Sequence, residues 1–449
     1  LIGKGDAFVQ AGEPVDLREV IARVPEDRRA RTLRTLLRRY LHRESRTVRG
    51  PRLLPRRVMR RLVLDDPPMR ELARQEARAT GQSIDKVHRQ MERTFDTIAA
   101  NFRWWMIRVL DIVLRPLWTR VFNGVDVPED DMNRIRTAIR DGSAILVPSH
   151  KSHFDYLLLS WVLYNHDLVV PHVVAGINLK IPGVAFFLRR AGGFFIERSF
   201  GTDRIFPAVF SRYLRELVRQ GYPVEFFIEG GRTRSGKLMP PKLGVLGMVV
   251  DAAGARRPSR DVTLLPIALA YERVAEEAAY ARELGGADKA PESIGQVVKA
   301  TRVIRKRFGR LYLRVGEPID LGAVADAGWD EMDDRARRPV LQSLGERIIH
   351  RIGHSTVVLP SSLVALGLLA NNQRGIRQPD LMDRIERFRT LLDAAGARSA
   401  VSLALPTRGT RLALDRFAAE GLVSDLSAED GTRVWVVAPE RHNTRSAAR

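Results

Sequence analysis

Residues 147–164 read VPSHKSHFDYLLLSWVLY and set His150, His153 and Asp155 into one short polar turn between apolar runs. Two imidazoles and a carboxylate at this spacing can do three kinds of chemistry. They can hold a metal ion as a two-histidine, one-carboxylate set. They can close a helix N-terminus, because Ser152 followed by Asp155 has the S-x-x-D form of a capping box with Ser152 as N-cap. Or Asp155 can hydrogen-bond one nitrogen of His150, fix its tautomer and leave the other nitrogen facing a cleft as a general base. The cap accounts for Ser152 and Asp155 and leaves His150 without a role. No second cluster of metal-type ligands accompanies the turn, so no metal is expected. The chain has no cysteine and no G-x-S-x-G nucleophile elbow. Direct transfer onto a bound hydroxyl therefore follows more naturally than a covalent acyl-enzyme.

Three further stretches carry candidate functional residues. In FFIEGGRTRSGK (226–237) a strand runs into Gly230 and Gly231 and then into Arg232, Thr233, Arg234 and Lys237, with Lys242 a few residues on. Glycines let backbone N–H groups approach an oxyanion, and guanidinia offer forked donors matched to phosphate. Glu229 ends the strand beside these cations. The spacing is not that of a P-loop, and a solvated basic turn is the plainer alternative. In GGFFIERSF (192–200) Arg198 follows an apolar strand and is aimed at the same cleft. In LLPIALAY (264–271) Pro266 lies inside a buried strand, which implies an edge or a bulge, and can shape an apolar wall. A base with its carboxylate partner, an anion cradle and apolar walls suit acylation of a phosphorylated alcohol by a long-chain donor.

The elements that must position these groups are legible from about residue 143. Short apolar runs at 144–148, 169–176, 194–197, 224–230, 262–271 and 311–318 alternate with amphipathic stretches such as 206–221, whose apolar residues fall three and four apart. This implies an α/β fold: a mixed, largely parallel sheet flanked by helices, with chemistry on loops that leave the carboxyl ends of strands. The expected organisation is a basic, mainly helical N-terminal region (1–125), an α/β core (126–325) and a helix-rich C-terminal region (326–449). Residues 380–440 read as helix, helix and two short strands, a winged-helix-like pattern.

Across 449 residues, 74 Lys+Arg against 53 Asp+Glu give a net charge of +21. Much of the excess sits in residues 28–61, where Glu44 is the single acidic residue. Such a segment is drawn to polyanions, either nucleic acid or anionic lipid. Lipid attraction agrees with the cleft clusters. Nucleic-acid binding leaves them unexplained and is not expected. No run of about 18 uncharged apolar residues is present, so a spanning helix is not expected. Residues 102–122, FRWWMIRVLDIVLRPLWTRVF, put Arg108, Asp111 and Arg115 on one helical face among Trp104, Trp105, Ile112 and Trp118. That pattern fits a helix lying in a membrane interface and broken near Pro116, or burial in the chain's own core. The apolar stretch 355–370 carries Pro360 and has the same two readings. The chain begins at Leu1 rather than at a methionine, so a fragment or a processed form is one expectation, and no signal peptide is evident.

HKSHFDYLLLSWVLY, GGFFIERSF, FFIEGGRTRSGK and LLPIALAY stand in the order and spacing of the four blocks of the glycerol-3-phosphate acyltransferase family. The likeness extends through AGINLKIPG (175–183), YARELGGADK (280–289) and DTIAANF (96–102), over roughly residues 30–380. The chain resembles the large bacterial membrane-associated subtype. The resemblance implies His150 as general base with Asp155 its partner, and Arg198, Glu229, Gly230, Arg232 and Thr233 as glycerol 3-phosphate ligands. It implies Pro266 beside the acyl donor, and neither metal nor organic cofactor. The implied reaction moves a fatty acyl group from acyl-CoA or acyl carrier protein to the sn-1 hydroxyl of glycerol 3-phosphate. The product is lysophosphatidic acid, made peripherally or monotopically at the cytoplasmic face of the bacterial inner membrane. Dihydroxyacetone phosphate, with its hydroxyl and phosphate similarly placed, is the alternative acceptor. Glu197 stands where relatives can have a basic residue, and Lys151 replaces an arginine common after the first histidine.

Overall fold

The computed structural model describes residues 16–22, 24–181, 183–197, 199–254, 261–274, 276, 280, 308–371, 375–403, 406–427 and 431–438. Arg198 and most of residues 280–289 lie outside the described residues.

Six helices come first: α1 (Leu17–Ala22), α2 (Glu26–Arg49), α3 (Arg56–Leu64), α4 (Pro67–Thr80), α5 (Ile84–Ile98) and α6 (Trp104–Pro116). Pro116 cannot donate into the helical ladder, and the chain continues as a π-helical turn, Leu117–Val121. Then follow β1 (Val125–Asp126), α7 (Glu129–Asp141), β2 (Gly142–Pro148), α8 (Asp155–Asn165), β3 (His172–Gly176), α9 (Val184–Arg190), β4 (Gly193–Ile196), α10 (Ile205–Gln220), β5 (Val224–Glu225), α11 (Leu243–Gly254), β6 (Asp261–Tyr271), β7 (Leu311–Val315) and β8 (Ile319–Asp320). Past the sheet lie α12 (Leu321–Asp326), α13 (Asp334–Ser355), α14 (Pro360–Leu369), β9 (Ile376–Arg377), α15 (Gln378–Ala394), α16 (Pro406–Ala419), β10 (Val423–Ser427) and β11 (Arg433–Val437).

The main sheet runs β1-β7-β6-β2-β5-β3-β4, with β8 also on β6. The pairs β1–β7, β6–β2, β2–β5, β5–β3 and β3–β4 are parallel; β7 and β8 meet β6 antiparallel. This is the mixed, largely parallel sheet expected from the sequence. Every residue of β2 is buried, as a central parallel strand covered on both faces must be. Its first residue, Gly142, passes so close to β6 that a Cβ there would stand 1.8 Å from the carbonyl oxygen of Asp261.

Two apolar layers cover the faces. On one, α3, α4, α5, α10, α11 and α13 pack with Ile145, Val147, Val224, Leu264 and Ala268. On the other, α7, α8 and the π turn pack with Ala144, Leu146, Leu265, Ile267 and Leu269. Helices 56–98 thus share a core with the sheet, because Met91, Phe95 and Ile98 are fully buried against α10. A third cluster, with Leu363, Leu381, Ile385, Leu414 and Trp435, holds the C-terminal unit together. There β11 pairs antiparallel with both β9 and β10. Helix, strand, two helices and a two-stranded hairpin in this order give the winged-helix-like arrangement.

Pro266 corrects an expectation. Its strand is not an edge, since β6 lies between β2 and β7, and the extra residue of a bulge falls on the partner side, where 316–318 stand opposite Leu265 and Pro266. On its antiparallel side β6 pairs with β8 through Thr263 and Leu264 and with β7 from Ile267 onward. The Pro266 carbonyl accepts from Gly316 N (2.8 Å) on that side, so the missing N–H falls in the gap between two short partners. The predicted strand 224–230 is likewise shorter: after Glu225 the chain leaves the sheet and turns, with Gly230 N donating to Phe227 O (3.0 Å) and Gly230 at φ 65°.

Candidate active site

The site grows from the carboxyl end of β2. Ser149 is fastened to β6 twice: its N–H donates to Ile267 O (2.9 Å) and its Oγ accepts from Leu269 N (3.0 Å). His150 follows and is almost fully buried. Its Nδ1 lies 2.9 Å from Asp155 Oδ2, and its Nε2 lies 3.1 Å from the hydroxyl of Tyr156. The imidazole stacks on Phe227, centroids 4.0 Å apart. Its backbone N–H donates to Glu229 Oε1 (2.8 Å) and its carbonyl accepts from Thr233 N (2.9 Å). Base, aspartate and basic loop are therefore one hydrogen-bonded unit.

Asp155 opens α8 and collects donors. Its Oδ2 accepts from Lys151 N (2.6 Å) and Ser152 N (2.8 Å) as well as from His150, and its Oδ1 accepts from the buried Tyr271 hydroxyl. An ionised carboxylate is acceptor-only, so Nδ1 carries the proton and Nε2 of the neutral ring is the acceptor. Half of the predicted capping box is present, Ser152 N on Asp155. The other half is diverted: Ser152 Oγ donates to Glu276, accepts from Phe154 N (3.2 Å), and leaves the first turn to Phe154 as N-cap. Glu276 also accepts from His153 N (2.8 Å). Among the described residues no group of three or more His, Asp or Glu side chains is placed to hold a metal ion.

The loop 229–242 is built against this unit. Glu229 is buried, and its second oxygen accepts from Met239 N (3.0 Å). Each of its oxygens accepts from one backbone amide, so the side chain ties His150 to the far arm of the loop. Arg232 Nη1 donates to the Tyr280 hydroxyl (2.9 Å), which donates in turn to Lys151 O (3.1 Å); Arg234 Nη1 donates to Arg232 O (2.7 Å). Both guanidinia lie over the Tyr280 ring, at 5.8 and 6.0 Å. Gly230 needs its positive φ and its missing side chain, since a Cβ would meet Lys242 Cγ at 2.9 Å. Thr233 is buried, Arg232 and Arg234 are half-buried, and Lys237 and Lys242 are exposed.

Burial sets the electrostatics. It pushes the Glu229 carboxyl up, against the lowering effect of its two backbone donors. It pulls the Lys151 ammonium down, opposed by the charges of Asp155 and Glu229. It raises the Tyr271 phenol, which Asp155 raises further, and takes Tyr280 up to about 12. Glu225, on β5 beside the dyad, is pushed well up by complete burial and by the charge of Asp155, and neither of its carboxyl oxygens has a hydrogen-bond partner among the described residues.

An apolar cavity lies between α6, α8, α9 and the β3–β4 edge, lined by Ile107, Leu114, Trp161, Val173, Leu188 and Tyr156 among others. Tyr156 joins it to His150. Pro266, expected as an acyl-donor wall, is not among its lining residues; strand alternation turns it to the face opposite Leu265 and Ile267, away from α8.

Among the sequence-derived residues, His150, Asp155, Glu229, Gly230, Arg232, Thr233, Arg234 and Lys242 are brought together; Lys237 sits at the exposed tip of the loop. Tyr156, Tyr271, Glu276 and Tyr280 were not singled out. Tyr156 stood inside the opening motif, and Tyr271 closes β6 at its carboxyl end, where such folds place function.

Residues 130–270 match the acyltransferase family model, which defines the class of this domain. Residues 280–448 match that of the glycerol-3-phosphate acyltransferase C-terminal region. A glycerol-3-phosphate acyltransferase of Pseudoalteromonas atlantica is 36% identical over 369 residues, 79% of this chain and 45% of that protein. One from Pasteurella multocida is 34% identical over 397 residues, 86% of this chain and 49% of that protein. A crystal structure of a 1-acyl-sn-glycerophosphate acyltransferase from Thermotoga maritima aligns with a TM-score of 0.32 at 17% identity, over 55% of this chain and 79% of that one. The chain is similar to glycerol-3-phosphate acyltransferases over most of its own length, and it spans about half the length of the curated relatives it matches.

Proposed function

We propose that this chain transfers a fatty acyl group from a thioester, acyl-CoA or acyl carrier protein, to the sn-1 hydroxyl of glycerol 3-phosphate. The observation that carries this reading is the junction at His150. A buried base held by Asp155 stands between an apolar cavity and a glycine-bearing loop with Arg232, Arg234 and Lys242. Nε2 removes the proton of the acceptor hydroxyl as its oxygen attacks the thioester carbon. Asp155 keeps Nδ1 protonated and stabilises the imidazolium that forms. When the C–S bond breaks, the thiolate takes the proton from Nε2. The loop cations hold the phosphate, and Glu229 keeps loop and base in register. Arg198 joins them by the family resemblance alone.

The same reading puts the chain on a membrane surface. Among the described residues no helix is long and apolar enough to cross a bilayer. Trp105, Val109, Ile112 and Val113 on α6 and Phe186 and Phe187 on the adjoining α9 are exposed, with Arg103, Arg108, Arg115 and Arg120 exposed around them. Such a face suits the headgroup region of an anionic bilayer. The C-terminal winged-helix-like unit is given no nucleic-acid role.

The test is transfer of radiolabelled palmitoyl from CoA to glycerol 3-phosphate on anionic vesicles, with His150→Ala and Asp155→Ala alongside. Activity that collapses in both variants supports the reading. A parent that neither transfers acyl nor binds glycerol 3-phosphate overturns it.

A further inference from the structure

Both ring nitrogens of His150 are engaged. Nδ1 donates to Asp155, so Nε2 of the neutral ring accepts from the Tyr156 hydroxyl 3.1 Å away. Tyr156 is held there by shape: its ring meets the imidazole edge-on (centroids 5.0 Å, 78°) and Phe227 edge-on (4.9 Å, 73°), while Phe227 stacks on the imidazole. The same side chain lines the apolar cavity. The phenol oxygen therefore occupies the position from which any hydroxyl must approach the base, since a proton donor has to come within about 2.6–3.2 Å of Nε2. Phenol and attacking hydroxyl exclude each other.

Two molecules compete to displace it, and they are unequally equipped. An acceptor alcohol held by its phosphate on the Arg232–Arg234 loop brings binding energy made at a distance from the reacting atoms. A water molecule brings only its own hydrogen bonds, which the phenol already matches.

We propose that Tyr156 is a specificity-determining residue: its hydroxyl caps the base against water until a phosphate-anchored alcohol displaces it, and so directs the acyl group to transfer rather than hydrolysis. The role rests on the acyl-transfer reading above. The suppressed side reaction is balanced as follows. A water oxygen bonds to the thioester carbon, its proton passes to Nε2, the C–S bond breaks, and the thiolate takes that proton. The products are fatty acid and free thiol.

Thiol release from palmitoyl-CoA, with and without glycerol 3-phosphate, is compared between the parent and Tyr156→Phe on anionic vesicles. Phenylalanine keeps the ring contacts and deletes the cap. The expected result is an increase of about tenfold in acceptor-independent thiol release, with a lower KM for glycerol 3-phosphate because nothing has to be displaced. An activity-independent measurement runs beside it: the 15N shift of the unprotonated His150 nitrogen, assigned through His150→Gln, moves in Tyr156→Phe. Unchanged hydrolysis beside a transferring parent overturns the capping role alone, and so does an unmoved shift. A parent inert in transfer strikes the acyl-transfer reading itself and this role with it.

Discussion

At the residue scale the site is a carboxylate with four donors. Asp155 accepts from an imidazole, two backbone amides and a phenol, so replacing it disturbs tautomer and turn together. Asp155→Asn puts an amide NH2 where an acceptor is needed. It is expected to lower kcat by about 10³-fold or more while KM for glycerol 3-phosphate moves little, read from steady-state transfer kinetics. Glu229→Ala acts differently: it strands the His150 and Met239 amides. It is expected to cost about 1–3 kcal/mol for each amide left without an acceptor, seen in urea unfolding, and to raise KM as the loop loosens. His150 and Asp155 were legible because their partnership is local, five residues apart across one turn. Tyr271 and Glu276 were not, because they reach Asp155 and Ser152 from the end of the neighbouring strand β6 and just beyond it, more than a hundred residues on, and one sequence carries no sign of such a meeting. The two backbone amides on Glu229 were not legible either, because they depend on how the loop folds back.

At the scale of elements, the strands were legible where both faces are covered, since β2 and β6 are continuous apolar runs. They were not where pairing alone decides length. Phe226, Phe227 and Ile228 read as strand, yet Phe227 is needed under the imidazole and the chain turns at Gly230. Pro266 misled because proline is compatible with an interior strand when its two partners on one side end short of each other. The close passage of β2 and β6 gives a sharp test: Gly142→Ala would set a methyl group on the Asp261 carbonyl. It is expected to destabilise the fold by about 1–3 kcal/mol or more in urea unfolding. A pH effect belongs to β3. Burial between Phe102 and Tyr222 pushes the His172 imidazole from 6.5 down to about 4. Between those values the unfolded chain binds a proton that the folded chain refuses. The contribution is therefore complete above pH 6.5 and is lost as pH falls toward 4. Stability is expected to drop by about 2 kcal/mol more in the parent than in His172→Phe between pH 7 and pH 5, by urea unfolding at each pH.

For the whole molecule, the question is which exposed residues meet a membrane under the proposed function. The sequence left residues 102–122 open between lipid and core, and the structure divides them. Met106, Ile107 and Trp118 are buried, whereas Trp105, Ile112 and Val113 face outward at 52%, 70% and 64% exposure. A helix with both kinds of residue cannot be assigned whole from periodicity, because what it packs against on one side is fixed by α8 and α9, not by its own pattern. Residues 355–370 resolve the other way, with Leu363, Val364 and Leu368 in the C-terminal core. The apolar cavity is lined in part by α6 and α9, the two helices that carry the exposed apolar residues. Exposed arginines of α2, among them Arg28, Arg31, Arg34 and Arg38, add attraction of about 1 kcal/mol each when near an anionic surface. On the membrane reading proposed above, two terms of different origin would hold the chain, and they separate by experiment. Trp105→Asp with Ile112→Asp removes insertion and leaves the arginines; vesicle sedimentation at low salt is expected to weaken by about 10–100-fold, the equivalent of one or two buried apolar side chains. Raising the ionic strength screens the arginines and leaves insertion, so the residual binding of the parent at high salt is expected to vanish in the double variant. Equal binding of parent and variant at high salt would move the contact elsewhere on the molecule.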